Sequence, residues 1–135
     1  MEVFRVEDKL TVFWRDDVKA IVDEWQNYAV TLAEFKNAVL NKGLTHAKAN
    51  NGIAWIVDSS NAKGAFTQEI QNFIGTELFP AFAKNGIKYF ITVLPQSGIT
   101  KLTVKNYSRK AGPNGLELVE AQTLDAAIDF LNQNK

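Results

Sequence analysis

The alternation of hydrophobic and polar positions predicts that the chain opens with a β-hairpin. Residues 10–15 and 18–25 are rich in β-branched and aromatic side chains, and the polar pair Asp16 and Asp17 separates them. Two such segments joined by a short polar turn are typical of antiparallel strands.

A helix and a buried strand are predicted next. Thr31 and Glu34 have the spacing of a capping box, and apolar residues then recur at helical intervals, which predicts a helix from about 31 to 49. The nearly continuous apolar run at 53–58 is typical of a strand covered on both faces, so we expect it near the centre of a sheet.

The second helix has the clearest periodicity. Thr67 can cap it, and Pro80, which lacks a backbone N–H, should kink or divide it. A further apolar run at 87–94 predicts a second buried strand. One apolar stripe runs along this helix, formed by Ile70, Phe73, Ile74, Leu78, Ala81 and Phe82.

The triplet Asn-Gly-Ile occurs at 51–53 and again at 85–87, which predicts that each helix ends in a left-handed glycine that leads into a strand. Two such units in series imply parallel strands with helices packed over the sheet. The sequence therefore predicts a layered α/β fold.

The last third is less regular. Residues 99–109 can form a helix, 110–115 a turn and 116–121 a strand. Thr123 can cap a final helix with one apolar face, made of Leu124, Ala127, Ile128 and Leu131. We find no linker or second domain and predict a single domain over residues 1–135.

Composition narrows the class of protein. Fifteen basic and 15 acidic residues balance, so the protein has no net positive charge that would attract nucleic acid. The sequence has no cysteine that could form a disulfide or a thiolate metal site. The N-terminus lacks a signal-peptide pattern, and no stretch is long and apolar enough to span a membrane. We therefore expect a cytoplasmic protein.

The sequence contains no assembled catalytic motif. His46 is the only histidine, which disfavours a metal site and a Ser-His-Asp triad, and we interpret it as a solvated residue near a helix end. No phosphate-binding glycine motif is present. The adjacent carboxylates at 16–17 and 23–24 are best explained by turns and solvated faces. We predict a protein that is not an enzyme, with no cofactor and no metal.

Two surface features are candidates for binding. Asp58, Ser59 and Ser60 follow the predicted central strand, where open α/β sheets place ligand sites, although such residues also satisfy turn backbone. Helical spacing gives a basic face that can meet an acidic partner or simply be solvated, formed by Lys101, Lys105 and Arg109. The tryptophans at 14, 25 and 55 most simply belong to the core, although two of them can line a pocket.

Short motifs are spread along most of the chain. They are a Trp-x-x-Asp segment, an acidic-x-Phe-Pro run, a Gly-Ile-Lys-Tyr strand and a Leu-Pro-x-Ser turn, at 55–58, 77–80, 86–89 and 94–97. Together they resemble the SpoIIAA-like branch of the STAS superfamily. The resemblance implies a mixed sheet of four to five strands flanked by about four helices, in bacterial cytoplasmic proteins.

The resemblance also implies a regulatory role. In the antagonist members, a partner kinase phosphorylates a serine at a helix N-terminus and so switches binding. Ser59, Ser60 and Thr67 are the candidate phosphoacceptors here, and with Asp58 they would form a partner surface. The sequence thus predicts a module that binds a protein partner, either a kinase or another regulator. A carrier of a small apolar ligand or lipid is the alternative, and a homodimer is left open.

Overall fold

The structure, a computed structural model, describes residues 1–96 and 98–134. Six strands pair in chain order into one sheet. The first three pair antiparallel, and the third to the sixth run parallel. They are β1 (Glu2–Val6), β2 (Leu10–Arg15), β3 (Ala20–Trp25), β4 (Ala54–Asp58), β5 (Tyr89–Val93) and β6 (Glu117–Ala121).

The predicted α/β class, the opening hairpin and the parallel strands are confirmed, but the sheet has six strands rather than four to five. The additional strand is β1, which pairs with β2 at the edge of the sheet. Its side chains are exposed or half-buried, so its sequence lacks the strong apolar pattern that marks the buried strands.

Four helical segments connect or follow the strands. Helix α1 joins Leu32–Phe35, a π-helical stretch Lys36–Leu44 and Thr45–Ala49, and α2 joins Gln68–Phe73, a π-helical stretch Ile74–Leu78 and Phe79–Lys84. Helix α3 is Gly98–Ser108 and α4 is Leu124–Gln133. A 3₁₀ turn, Gly112–Asn114, precedes β6. None of the helices described is long and apolar enough to cross a membrane.

The helix starts follow the predicted chemistry. The Thr31 hydroxyl accepts a hydrogen bond from Glu34 N, and the Glu34 carboxylate accepts one from Thr31 N, which is the predicted capping box. Thr67 caps α2 and Thr123 caps α4 through the same hydroxyl contact three residues on. These starts depend on neighbouring residues alone.

Pro80 does not end α2 but lies in its last α-helical part, just after the π-helical stretch Ile74–Leu78. A proline ring clashes with the carbonyl four residues earlier and offers no N–H. The wider π turn gives that carbonyl more room, and it accounts for a helix that continues past proline.

The two Asn-Gly-Ile junctions differ. At the second, Gly86 is left-handed with φ of 94°, as predicted, whereas at the first the left-handed residue is Asn51, with φ of 58°. Gly52 is instead buried against Ala47, where an added Cβ would lie 3.0 Å from the Ala47 Cβ. Asparagine tolerates the left-handed region, so the prediction was wrong by one residue at that junction.

Helices cover both faces of the sheet. The larger core lies beneath α1, α2 and α3, and the smaller one beneath α4. The three predicted core tryptophans, Trp14, Trp25 and Trp55, are all buried in the larger core. Every strand of the hairpin and of the parallel part contributes alternate side chains to the two faces, as the pleat of a sheet requires.

Candidate functional site

The loop after β4 is held together by its own side chains. Asp58 Oδ1 accepts hydrogen bonds from Ser60 N at 3.1 Å and from Ser60 Oγ at 2.7 Å. This is a turn stabilised by aspartate, one of the two interpretations that the sequence allowed. Asp58 is therefore a turn residue, and its carboxylate is already engaged.

Ser59 lies inside the molecule. It is fully buried, its N–H donates to Val93 O at 3.1 Å, and its hydroxyl hydrogen-bonds the Tyr28 hydroxyl. The Tyr28 ring stacks on Phe66 with centroids 4.0 Å apart, which closes the loop over the serine. A kinase cannot reach this hydroxyl in the folded arrangement, so the accessible hydroxyls among the candidates are those of Ser60 and Thr67.

Thr67 is exposed and opens α2, because its Oγ1 accepts from Ile70 N at 3.2 Å. A phosphate there would face the backbone N–H groups of the first turn, which favour negative charge.

Helix α3 presents an unusual exposed face. Ile99 is 70% exposed and Leu102 is 61% exposed, and Lys101, Lys105 and Arg109 are exposed on the same helix. In the described part of the chain, the ion pairs all lie within the first 19 residues, so none involves these cations. We call these five residues the basic-apolar face.

The start of α3 is held against the loop after β4. Thr100 Oγ1 donates to Gly64 O at 2.6 Å, and α3 packs beside the first turns of α2. Thr100 is buried, so this contact uses the side of α3 that faces the molecule, whereas the basic-apolar face is exposed to solvent. The Leu94–Ser97 motif ends at a residue outside the described part.

A buried carboxylate is the main feature that the sequence did not predict. Asp23 was grouped with solvated acids, but it is 2% exposed and its Oδ2 accepts from Trp55 Nε1 at 2.8 Å. Burial raises the pKa of Asp23 to about 7, against the lowering effect of the Trp55 hydrogen bond. The signal was available, because Asp23 shares a strand face with the apolar Ile21 and Trp25.

Asp23 faces a cavity of about 20 Å³ between the sheet and the helices. Trp25, Trp55 and Tyr107 also line it, so two of the tryptophans border a pocket, as the sequence allowed. The space suits about one water molecule, whereas benzene needs roughly 150 Å³. A small apolar ligand stays a prediction that would require the core to open.

Tyr107 extends this polar group toward the loop after β4. Its hydroxyl lies 3.4 Å from that of Tyr28, which in turn bonds Ser59. Burial raises the pKa of both tyrosines, so both hydroxyls keep their hydrogens. These side chains form a hydroxyl chain, Tyr107–Tyr28–Ser59, under the surface described above.

His46 is half-buried near the end of α1, with its ring 5.4 Å from that of Trp14 in an edge-on contact. Within residues 1–96 and 98–134, no three His, Asp or Glu side chains come together in a way that could hold a metal ion.

Comparisons with known proteins identify no relative. No protein-family model, no curated protein and no solved structure matches this chain.

Proposed function

We propose that this protein is a STAS-like, non-enzymatic regulatory module of the cytoplasm that binds an acidic protein partner through the basic-apolar face of α3. The exposure of Ile99 and Leu102 on a helix with three exposed cations, which form no ion pair with the described residues, carries this proposal. Apolar side chains of this size are costly to leave in water, and a rim of one charge sign selects a partner of the opposite sign. A partner helix or loop with acidic residues around an apolar anchor fits both features.

The proposal extends to a phosphate switch at the neighbouring end of α2. The support is that Ser60 and Thr67 lie in sequence on either side of Gly64, whose carbonyl accepts from Thr100 at the start of α3. A phosphate on Thr67 would add negative charge near the helix that carries the cations. We therefore expect phosphorylation to weaken the binding of an acidic partner.

The charge part of the proposal is tested with two matched double variants. Lys101→Glu with Lys105→Glu reverses the face, and Lys48→Glu with Lys84→Glu makes the same charge change at exposed sites on other helices. Proteins that co-purify with each variant from the native host are quantified by mass spectrometry. An acidic partner should be lost with the first pair and kept with the second. Equal recovery in both would contradict the proposal.

The apolar part is tested in the same assay. Leu102→Ser removes an anchor from the face, whereas Leu118→Ser removes an exposed leucine, 38% accessible, from β6. Hydrophobic anchors inside a charged rim dominate many interfaces, so only the first substitution should reduce partner recovery.

The switch is tested with substitutions that preserve the helix cap. Aspartate and asparagine both cap helices well, so Thr67→Asp and Thr67→Asn differ in charge alone. We expect the Asp variant to bind the partner more weakly than the Asn variant, and intact-mass measurement of protein from the host to reveal a phosphorylated form. Equal binding together with a single unmodified mass would rule out the switch and leave the α3 interface standing.

A further inference from the structure

The cavity beside Asp23 is lined by two groups, Asp23 and Tyr107, that can each form one more hydrogen bond than the described residues provide. Asp23 Oδ1 is buried and has no hydrogen-bond partner among the described residues, while Oδ2 is held by Trp55. An unpaired buried oxygen costs roughly 1–3 kcal/mol, so native proteins seldom keep one without a partner.

The hydroxyl chain leaves one hydrogen over. Tyr28, Ser59 and Tyr107 each carry one hydroxyl hydrogen, and two contacts join the three oxygens. Two of these hydrogens are donated in those contacts, and the third has no acceptor within the hydroxyl chain. If Ser59 donates to Tyr28 and Tyr28 to Tyr107, the remaining hydrogen is that of Tyr107, which lines the same cavity as Asp23.

The size of the cavity matches one small polar molecule. Its volume of about 20 Å³ exceeds the roughly 10–15 Å³ that a water needs, and it is far too small for an organic ligand. Proteins of this length commonly bury several waters, each bonded to groups that would otherwise stay unpaired.

We infer that this cavity is a binding site for a single structural water, which accepts from the Tyr107 hydroxyl and forms a second hydrogen bond with Asp23 Oδ1. The water completes a continuous line of hydrogen bonds from Trp55 through Asp23, Tyr107 and Tyr28 to Ser59. The line connects the centre of the sheet to the loop after β4, and it accounts for polar side chains in a wall that is otherwise aromatic and aliphatic.

A high-resolution crystal structure of the full chain tests the site directly. One density peak is expected in the cavity, within about 2.7–3.0 Å of both Asp23 Oδ1 and Tyr107 Oη. A dry cavity, a direct bond between the two side chains or a peak too large for water would each overturn the inference.

Variants give a second measurement in solution. Cross-relaxation between the water signal and the Trp55 indole proton should be seen in the wild-type protein and in Asp23→Asn, which keeps an oxygen at the site. It should disappear in Asp23→Leu, which fills the space with carbon and removes the polar partner. If that variant does not fold, Tyr107→Phe serves in its place, since it removes one of the two bonds and should shorten the residence of the water. If the cross-relaxation signal is unchanged in the variant that folds, the proposed water site is contradicted.

Discussion

The face of the sheet beneath α4 and the face beneath α1, α2 and α3 are both buried, but different side chains build them. The α4 face is packed by aliphatic residues such as Ile56, Ile91 and Leu131, together with the ring pair of Tyr89 and Phe130. The opposite face holds Asp23 and the hydroxyl chain among its aromatic rings. Both buried polar oxygens without partners in the described chain, on Asp23 and Thr92, belong to strand positions that point to this second face.

This difference indicates a division of roles. An aliphatic face stabilises the fold by burial alone and responds little to pH or to a partner. A face with paired and unpaired polar groups can change its hydrogen bonds, and here it lies directly under the loop and helices proposed to bind a partner. The π-helical stretches of α1 and α2 both occur on that side, and such turns are frequent at functional sites.

The largest expected difference between the faces is their response to pH. Burial raises the pKa of Asp23 from 3.8 to about 7, so the folded protein keeps a proton that the unfolded chain releases. The contribution of Asp23 to the free energy of unfolding is full below about pH 4 and falls as the pH rises to 7, by on the order of 4 kcal/mol. Urea unfolding of the wild type and of Asp23→Asn across this range measures it.

The comparison between those two proteins isolates Asp23 from the surface acids. Hydrogen bonds from Lys19 and Arg15 lower the pKa of Asp16 and Asp17, so these pairs lose stability toward acid instead. We expect Asp23→Asn to gain stability over the wild type as the pH rises. The control Asp129→Asn removes an exposed carboxylate from α4 and is measured over the same pH range. A constant difference between wild type and Asp23→Asn would show that Asp23 is ionised in the fold.

Close packing around Trp55 gives the next largest effect. A Cβ on Gly43 would lie 2.9 Å from Cη2 of the Trp55 ring, which is itself stacked on Phe82 with centroids 4.2 Å apart. Gly43→Ala should therefore displace the partner of Asp23 and lower the free energy of unfolding by roughly 1–3 kcal/mol. Chemical denaturation with Trp fluorescence reports both the stability and the ring.

Gly112→Ala is the matched control, because nothing lies within 4 Å of a Cβ built there. Its stability should stay within about 0.5 kcal/mol of the wild type. If Gly43→Ala were equally mild, the ring of Trp55 would have to be free to move, and the hold on Asp23 would be weaker than the contacts indicate.

Two small substitutions on the polar face should change the free energy of unfolding in opposite directions. Ser59→Ala removes the hydrogen bond to Tyr28 and leaves that buried hydroxyl poorly paired, at a cost of roughly 1–3 kcal/mol. Thr92→Val replaces a buried hydroxyl that has no partner in the described residues, and it should be neutral or stabilising by about 1 kcal/mol. Thermal unfolding of the two variants side by side gives the signs. A costly Thr92→Val would mean that its hydroxyl is bonded, for instance to water.

The sequence predicted those features that neighbouring residues determine. Thr31, Thr67 and Thr123 cap helices through residues three positions away, and the buried strands β4 and β5 are marked by apolar runs. The burial of Ser59 could not be predicted in the same way, because it depends on Tyr28, 31 residues earlier in the chain. The exposure of the apolar side chains on α3 likewise depends on which face of that helix packs against the sheet.

The two helix caps should show the smallest effect and no difference between the faces. Thr67 on α2 and Thr123 on α4 make the same contact, with hydroxyl to N–H distances of 3.2 Å and 3.0 Å. Thr67→Ala and Thr123→Ala should each cost about 1 kcal/mol of unfolding free energy, and asparagine at either site should restore most of it. Urea unfolding measures both pairs. A markedly larger loss of unfolding free energy at Thr67 would mean that its hydroxyl makes stabilising contacts besides the helix cap. The polar interactions of this side of the sheet would then extend to the surface proposed to bind the partner.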